Sequence, residues 1–279
     1  MAKLASQIHQ WGVIKPFFDK SYNFNTIDIE TIDNELFLIG CTLNGKYKYY
    51  EDDFYNNFHY ILIESLQNNK DILTWSRYDN THLVKLLLKD VKDVNKVLLK
   101  IGKVSPIYTY KYEGFTITIT NIIKDSIILT FIDPYNEKSK NVVIYNLKNL
   151  YDTNLETTAK NYDLTYYSKL GVEYHIIDKT RYMTDLEYKK NVLLSNELDN
   201  KVLLDISKNM LENFKAISGH YPKSIFTNGS LARSYLLASR SKYSCNVLQF
   251  KSFFNKHKYF DELLDYSMKS YHGGKIESY

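Results

Sequence analysis

The chain contains few of the residues that usually mark catalytic loops and crosslinks. Its 279 residues include 10 glycines, 4 prolines and 2 cysteines. No glycine-rich phosphate loop is present, which argues against a nucleotide-binding fold built on such a loop. Cys41 and Cys245 show neither a metal-binding nor a redox spacing. We therefore expect both to be small buried hydrophobic residues in a reducing compartment.

Long apolar runs and histidine clusters are also missing. No stretch approaches the length of a membrane span, and the N-terminal residues lack a signal-peptide pattern. These absences predict no membrane partner and a cytoplasmic location, in the host cytoplasm for a viral protein or in an organelle for a mitochondrial plasmid. The 7 histidines are scattered, which argues against zinc. The net charge of +4 permits a polyanionic partner without indicating one.

The most abundant unusual residue is tyrosine, with 26 copies. Asparagine, lysine and isoleucine are also frequent, and this combination is typical of an AT-rich gene. The tyrosine excess therefore needs no functional explanation.

The hydrophobic pattern predicts an α/β fold with one mixed central β-sheet and flanking helices. Asn44-Gly45 lies between two β-rich segments and predicts a hairpin. Alternating apolar residues indicate strands, and apolar residues at helical spacing indicate helices. The predicted strands are 24–30, 35–42, 46–50 and 71–75 with further strands between 106 and 144, and the predicted helices are 52–68, 80–101 and 184–217 within a helical C-terminal part.

Two carboxylates stand out at the end of the first predicted strand. Asp28 and Glu30 are two residues apart, so both side chains point to the same face of a strand. Like charges on a partly buried face repel each other and lose hydration, and a cation between them offsets both costs. The alternative is an ordinary solvated strand end.

Two more acids, on other elements, can join this pair. Asp79 lies at a strand–helix junction, where its side chain either faces a site or caps the helix. Asp199 lies in the long C-terminal helix, where the alternative is a solvated helix face. If all four converge, they would hold two divalent ions roughly 3.5–4 Å apart, the arrangement that hydrolyses phosphodiesters. Oxygen ligands favour Mg²⁺ or Mn²⁺ over zinc.

The order of these acids resembles the exonuclease region of the protein-primed family B DNA polymerases of phages and linear plasmids. Asp28-Ile-Glu30 is similar to the first exonuclease motif of that family, and Tyr78-Asp79 to the second. Asp199, followed by Val202-Leu-Leu204, is similar to the third. Asp205 is a rival for this last position.

Three further matches follow in the expected order. Asn146-Leu147 is similar to the motif that holds single-stranded DNA in the family. Lys169 is similar to a catalytic-site lysine, if one inserted residue is allowed. Tyr271, Gly273 and Gly274 resemble the Tyr-x-Gly-Gly motif that joins the exonuclease and polymerase domains.

The resemblance implies an RNase H-like exonuclease fold and two-metal trimming of a primer terminus in single-stranded DNA. Residues 1–21 would be an N-terminal arm, 22–217 the 3′–5′ exonuclease domain and 218–279 a helical connector. Lys169 would support the scissile phosphate, and Trp75, Tyr78 and Leu147 would grip the last nucleotides. The polymerase domain is absent from the sequence, so the resemblance implies an excised domain, a truncated reading frame or one half of a split enzyme. In the last case a polymerase domain on another chain would be a partner, together with a terminal protein.

Departures from the family pattern leave other functions open. Trp75 stands where the family has an asparagine, Ser195 replaces a tyrosine, and Asn146 replaces a serine or threonine. A catalytically weak exonuclease fold that binds DNA or docks a separate polymerase subunit is therefore the main alternative. A trimming nuclease unrelated to replication is a third hypothesis, which the Tyr-x-Gly-Gly motif disfavours.

Overall fold

The computed structural model describes residues 21–98, 105–135, 137–167 and 177–242, with side chains for all of these except Asn95, Leu98 and 236–242. Residue contacts group Asp19–Ser234 into one compact unit. A second unit combines Met1–Phe18 with Tyr235–Tyr279, and only 235–242 of it are described. The predicted arm and most of the predicted connector therefore lie outside the described residues.

Strands dominate the first half of the described chain and helices the second. The strands are β1 (Phe24–Ile32), β2 (Glu35–Leu43), β3 (Lys46–Tyr50), β4 (Asp71–Thr74), β5 (Tyr108–Tyr112), β6 (Phe115–Ile123), β7 (Ser126–Ile132) and β8 (Ser139–Asn146). The helices are α1 (Phe54–Gln67), α2 (Arg77–Leu87), α3 (Val94–Leu98), α4 (Leu155–Asn161), α5 (Lys179–Thr184), α6 (Leu186–Ser218) and α7 (Asn228–Lys242), with a 3₁₀ turn at Leu147–Leu150. Among the described helices, none has the length and apolarity needed to cross a bilayer.

All eight strands form one sheet in the order β3-β2-β1-β4-β8-β7-β6-β5. β4 pairs in parallel with β1 and with β8, and the other neighbouring pairs are antiparallel. This confirms the predicted α/β class with a mixed sheet. An antiparallel three-stranded meander followed by two parallel strands is also the arrangement that an RNase H-like fold requires.

The predicted hairpin turn at Asn44-Gly45 is confirmed. Both residues have positive φ, 53° for Asn44 and 81° for Gly45. This is the left-handed region, which asparagine and glycine tolerate best, and it matches the twist of the two flanking strands. The turn brings β3 back beside β2 and so places Tyr47 on the meander.

The single long helix predicted over 80–101 is wrong. The helix α2 ends at Leu87, and α3 begins only at Val94. The Oδ1 atom of Asp93 accepts a hydrogen bond from the backbone N–H of Lys96 at 3.0 Å. Asp93 therefore starts a new helix, since an aspartate that accepts from a first-turn N–H is a strong N-cap. The apolar stripe continues through both pieces, which explains why one helix was predicted.

The sheet separates two hydrophobic cores. On one face, Ile27 and Ile29 of β1 pack with residues of α1 and α2 such as Phe58 and Leu83. On the other face, Leu73 of β4 packs with residues of α4 and α6. Because successive side chains of a strand point to opposite faces, the residues of β1 that alternate with the two isoleucines face α6. The long helix therefore covers the face that carries Asp28 and Glu30.

Candidate metal centre

Asp28 and Glu30 lie on the same face of β1, as their spacing predicted. Both carboxyl groups point towards α6 and are partly buried. The flanking Ile27 and Ile29 are fully or almost fully buried in the opposite core. The strand is thus anchored by its apolar residues, which keeps the backbone of both acids on the face opposite that core.

Asp199 of α6 joins this pair. One carboxylate oxygen of each of Asp28, Glu30 and Asp199 lies within 4.8 Å of the others. The rival Asp205 contacts a different residue, because its carboxylate accepts a hydrogen bond from the hydroxyl of Tyr166. Of the two acids weighed for the third motif, Asp199 is therefore the one that lies beside the first-strand pair.

Asp79 both caps a helix and lies close to the cluster. Its Oδ2 atom accepts hydrogen bonds from the backbone N–H of Ser76 at 2.9 Å and from the Ser76 hydroxyl at 3.1 Å. This is the reciprocal capping box at the start of α2. Burial raises the pKa of the Asp79 carboxyl to about 6, and the charge of Asp199 adds to this increase against the hydrogen bonds from Ser76. Asp79 is thus a neighbour of the three-oxygen group and lies outside it.

A tyrosine hydroxyl contacts Asp199, although the sequence has Ser195 where the family has its tyrosine. The hydroxyl of Tyr167 donates to Oδ1 of Asp199. Burial, followed by the charge of Asp199, raises the pKa of Tyr167 far above its usual value, so this hydroxyl stays protonated as a donor. Tyr167 escaped sequence analysis because its contact with Asp199 joins residues 32 positions apart.

Two asparagines of α6 were also missed, and one of them, Asn196, contacts the acids. Asn196 and Asn200 are fully buried. The Nδ2 atom of Asn196 donates to Oδ2 of Asp28 at 2.7 Å and lies 3.4 Å from Oε1 of Glu30. The available signal was two amides, four residues apart, in the otherwise apolar stripe of a long helix, since a polar residue in such a stripe needs a specific partner.

The residues predicted to contact DNA divide into exposed and buried ones. Tyr78 is 44% exposed, and its hydroxyl contacts that of Thr31 at 2.7 Å. Its ring is therefore available to a ligand beside Asp79. Trp75 is 8% exposed and stacks on Tyr151 with 5.9 Å between ring centroids. The tryptophan therefore serves mainly as a core residue, and stacking on a nucleotide does not fit its burial.

Leu147 is buried as well. It is 1% exposed and belongs to the core beneath α6, and its contact with DNA stays a prediction. Its neighbour Asn146 is 4% exposed, and its Oδ1 atom has no hydrogen-bond partner. A buried acceptor without a hydrogen-bond partner costs free energy of folding. Asn146 therefore has an unused acceptor, whereas the side chain of Leu147 is apolar. Lys169, Tyr271, Gly273 and Gly274 lie outside the described residues.

The chemistry of the cluster fits a divalent cation. The three nearest groups are carboxylates, which supply the hard oxygen ligands that Mg²⁺ and Mn²⁺ prefer. A fourth carboxylate, Asp79, lies near Asp199. The nearby hydroxyl of Tyr167 and amide of Asn196 are hydrogen-bond donors towards these oxygens, and such outer contacts orient metal ligands in proteins.

Comparisons with known proteins give a likeness among solved structures. No model of a protein family matches the chain, and no curated protein matches it either. Among solved structures, the chain is similar to Phi29 DNA polymerase in a complex with primer-template DNA and incoming nucleotide substrates, with a TM-score of 0.39 and 15% identity. The likeness covers 71% of this chain and 35% of the polymerase chain, so the chain matches about a third of that polymerase.

Proposed function

We propose that the chain is a metal-dependent 3′–5′ exonuclease domain that trims single-stranded DNA ends, as the proofreading part of a protein-primed DNA polymerase. One observation carries the proposal: carboxylate oxygens of Asp28, Glu30 and Asp199, from a strand and a distant helix, lie within 4.8 Å of one another. Carboxylates repel each other at this distance, and a divalent cation is the ligand that best offsets the repulsion.

The cluster would hold Mg²⁺ or Mn²⁺. Asp28, Glu30 and Asp199 would be the ligands of a first ion, and Asp79, near Asp199, would contribute to a second. When bound, the two ions supply an activated water and stabilise the leaving oxygen of the scissile phosphodiester. The hydroxyl of Tyr167 donates to Asp199 and would keep its carboxylate oriented. Tyr167 would thereby supply the tyrosine hydroxyl that the family has at the position of Ser195.

The substrate would approach over the exposed ring of Tyr78. Stacking of a base on an aromatic ring is worth about 1–3 kcal/mol, and Tyr78 directly precedes Asp79 in the chain. Lys169, supporting the scissile phosphate, and the Tyr-x-Gly-Gly motif at Tyr271, Gly273 and Gly274 remain predictions from the family resemblance.

The test is digestion of an end-labelled single-stranded oligonucleotide with Mg²⁺ or Mn²⁺. We expect stepwise shortening from the 3′ end, and we expect Asp28→Ala combined with Glu30→Ala to abolish it. Asp52→Ala removes an exposed acid outside the cluster and serves as the matched control, with unchanged activity. A second oligonucleotide with a blocked 5′ end is digested in parallel. The proposal is contradicted if the parent protein shortens neither oligonucleotide from its 3′ end.

A second candidate function is a catalytically weak module that binds DNA or docks a separate polymerase subunit. The burial of Trp75 and Leu147 favours it, because two residues expected to hold the 3′ end offer it almost no surface. Calorimetry with Mn²⁺ separates the two functions. A site that binds Mn²⁺ through Asp28 and Glu30 and cleaves DNA is an exonuclease, whereas DNA binding without metal affinity identifies the module.

A further inference from the structure

The amide of Asn196 occupies the centre of a hydrogen-bond network between α6 and the meander. Its Oδ1 atom accepts from the Tyr47 hydroxyl at 2.9 Å and from Nδ2 of Asn200 at 3.3 Å. Its Nδ2 atom points to Asp28 at 2.7 Å and to Glu30 at 3.4 Å. Ionised carboxylates only accept hydrogen bonds, so the partners on both sides dictate this orientation of the amide.

A glycine makes room for this amide. Gly40 of β2 lies directly opposite Asp28 in the antiparallel pair. A methyl group built on Gly40 would lie 1.5 Å from Oδ1 of Asn196 and 2.6 Å from its Cγ. No side chain other than hydrogen can coexist with Asn196 in this position, because real Cβ contacts are essentially never shorter than 3.0 Å.

The spacing of the contacts aligns the helix with the strand. Asn200 accepts from the hydroxyl of Thr26 at 2.7 Å, and Asn196 donates to Asp28. Four helical residues rise about 6 Å, and two strand residues advance about 6.6 Å. The two amides therefore match two successive same-face residues of β1, and they hold α6, with Asp199, at a defined position along the strand that carries the acids.

We propose that Asn196 is a positioning residue, which holds Asp28 and Glu30 in a ligating arrangement for the metal, and that Gly40 is required to admit its amide. The inference rests on the proposed function of the acid cluster. Because the amide hydrogens of Asn196 are directed at the two carboxylates, both carboxylates would already be oriented before a cation binds. The cation then meets ligands that have already lost their rotational freedom.

The primary test measures Mn²⁺ affinity by calorimetry on the full chain. We expect Asn196→Ala to weaken Mn²⁺ binding about 10–100-fold, the usual effect of losing an outer-shell partner of a metal ligand. We also expect kcat to fall while the KM for the oligonucleotide changes little. Asn213→Ala, at an exposed position of the same helix, is the matched control and should leave both quantities unchanged.

A second control separates positioning from stability. Thr26→Val breaks the buried hydrogen bond to Asn200 on the same helix–strand interface without touching either acid. We expect it to lower the urea midpoint of the metal-free protein and to retain Mn²⁺ affinity within about threefold, well inside the loss expected for Asn196→Ala. If Thr26→Val and Asn196→Ala weaken metal binding equally, Asn196 acts only through packing, and the inference is overturned.

The glycine gives a double-mutant test. Gly40→Ala should mimic Asn196→Ala, because the new methyl group displaces the amide. In the double variant the methyl group fills space that Asn196 has left, so its Mn²⁺ affinity should be no lower than that of either single variant. Gly229→Ala, whose methyl would meet only Thr227 Oγ1 at 3.7 Å, controls for the change of residue type. Losses that simply add would refute the pairing.

The outcomes also separate this inference from the proposed function. If the parent protein binds no Mn²⁺, the metal site is refuted and the positioning role falls with it. If the parent binds Mn²⁺ and Asn196→Ala binds equally tightly, the metal site stands and only the positioning role is overturned. If Asn196→Ala does not fold, Asn196→Ser and Gly40→Ala provide the same comparison, with equal affinity again counting against the role.

Discussion

Two polar clusters in this fold follow opposite electrostatic rules. In the first, Asp28, Glu30, Asp79 and Asp199 collect like charges beside α6. In the second, His59 lies fully buried under the far half of the sheet, with Nδ1 bonded to the Tyr55 carbonyl at 2.8 Å and Nε2 to the Tyr110 hydroxyl at 2.8 Å. Both ring nitrogens of the histidine have matched partners.

The contrast shows what each cluster is suited to do. The histidine cluster is neutral and complementary, and its ring stacks on Tyr112 with 4.1 Å between centroids. Such a cluster stabilises the fold and has no need of a ligand. We expect the acid cluster to destabilise the fold in the absence of a cation, because it brings like charges together. The following predictions test this difference, beginning with the largest expected effect.

We expect His59→Ala to destabilise the protein by about 4 kcal/mol. The substitution leaves a cavity in a fully buried position and deprives the Tyr110 hydroxyl of its partner. Urea unfolding at pH 7 measures the change. Mn²⁺ affinity of the folded variant should equal that of the parent, so a large loss of affinity would show that the two clusters are not independent.

Asp79 should make the metal-free protein less stable as the pH rises. Its folded pKa of about 6 lies above the ordinary value of 3.8, so the folded state holds the proton more tightly between these values. The penalty is absent below pH 4, grows through this window and is complete above pH 6, reaching about 3 kcal/mol. Urea unfolding of Asp79→Asn and of the parent between pH 4 and 7 measures this penalty. If the free energy of unfolding depends on pH in the same way in both proteins, the penalty does not come from Asp79.

Bound Mn²⁺ should stabilise the folded protein. At a free concentration one hundred times the Kd, the gain is about 2.7 kcal/mol, measured as a rise in the thermal midpoint. Asp28→Asn combined with Glu30→Gln should abolish this rise and make the metal-free protein no less stable than the parent, because the like charges are gone. An equal Mn²⁺-dependent rise in this variant would locate the metal elsewhere.

The smallest effect concerns the pH dependence of the histidine cluster. Burial lowers the pKa of His59 below its usual value, so the unfolded chain takes up the proton first as the pH falls. His59 therefore contributes stability that is complete above pH 6.5 and is lost as the pH falls towards its folded pKa. The slope is opposite in sign to that of Asp79. Comparing His59→Gln with the parent between pH 5 and 8 tests it.

Several features of the site were predictable because they depend on neighbours in the chain. The common face of Asp28 and Glu30 follows from their spacing in a strand, and the Asn44-Gly45 hairpin follows from local backbone preference. The two helices between residues 77 and 98 were misjudged as one, because the apolar stripe continues across the break and only the Asp93 cap marks it. Local pattern therefore located strands better than it located a helix boundary.

The residues that were missed act across long sequence separations. Tyr167 reaches Asp199 over 32 positions, and Asn196 reaches Asp28 over 168. Trp75 and Leu147 were expected to contact DNA because they occupy positions in motifs that resemble those of the family, yet both pack into the core beneath α6. Whether a side chain contacts a ligand or packs into a core depends on which elements of the fold cover it. The local sequence does not contain that information.

The amino-acid order alone established the α/β class and the common face of β1 on which two acids lie. It also established that any metal bound by these acids would be one that prefers oxygen ligands. All three follow from side-chain periodicity and ligand chemistry. Tertiary structure decided which third acid completes the group, because only the packing of α6 against β1 brings Asp199 within 4.8 Å of the pair. It also decided the role of Gly40 and Asn196, whose close approach depends on how a helix and a sheet fit together.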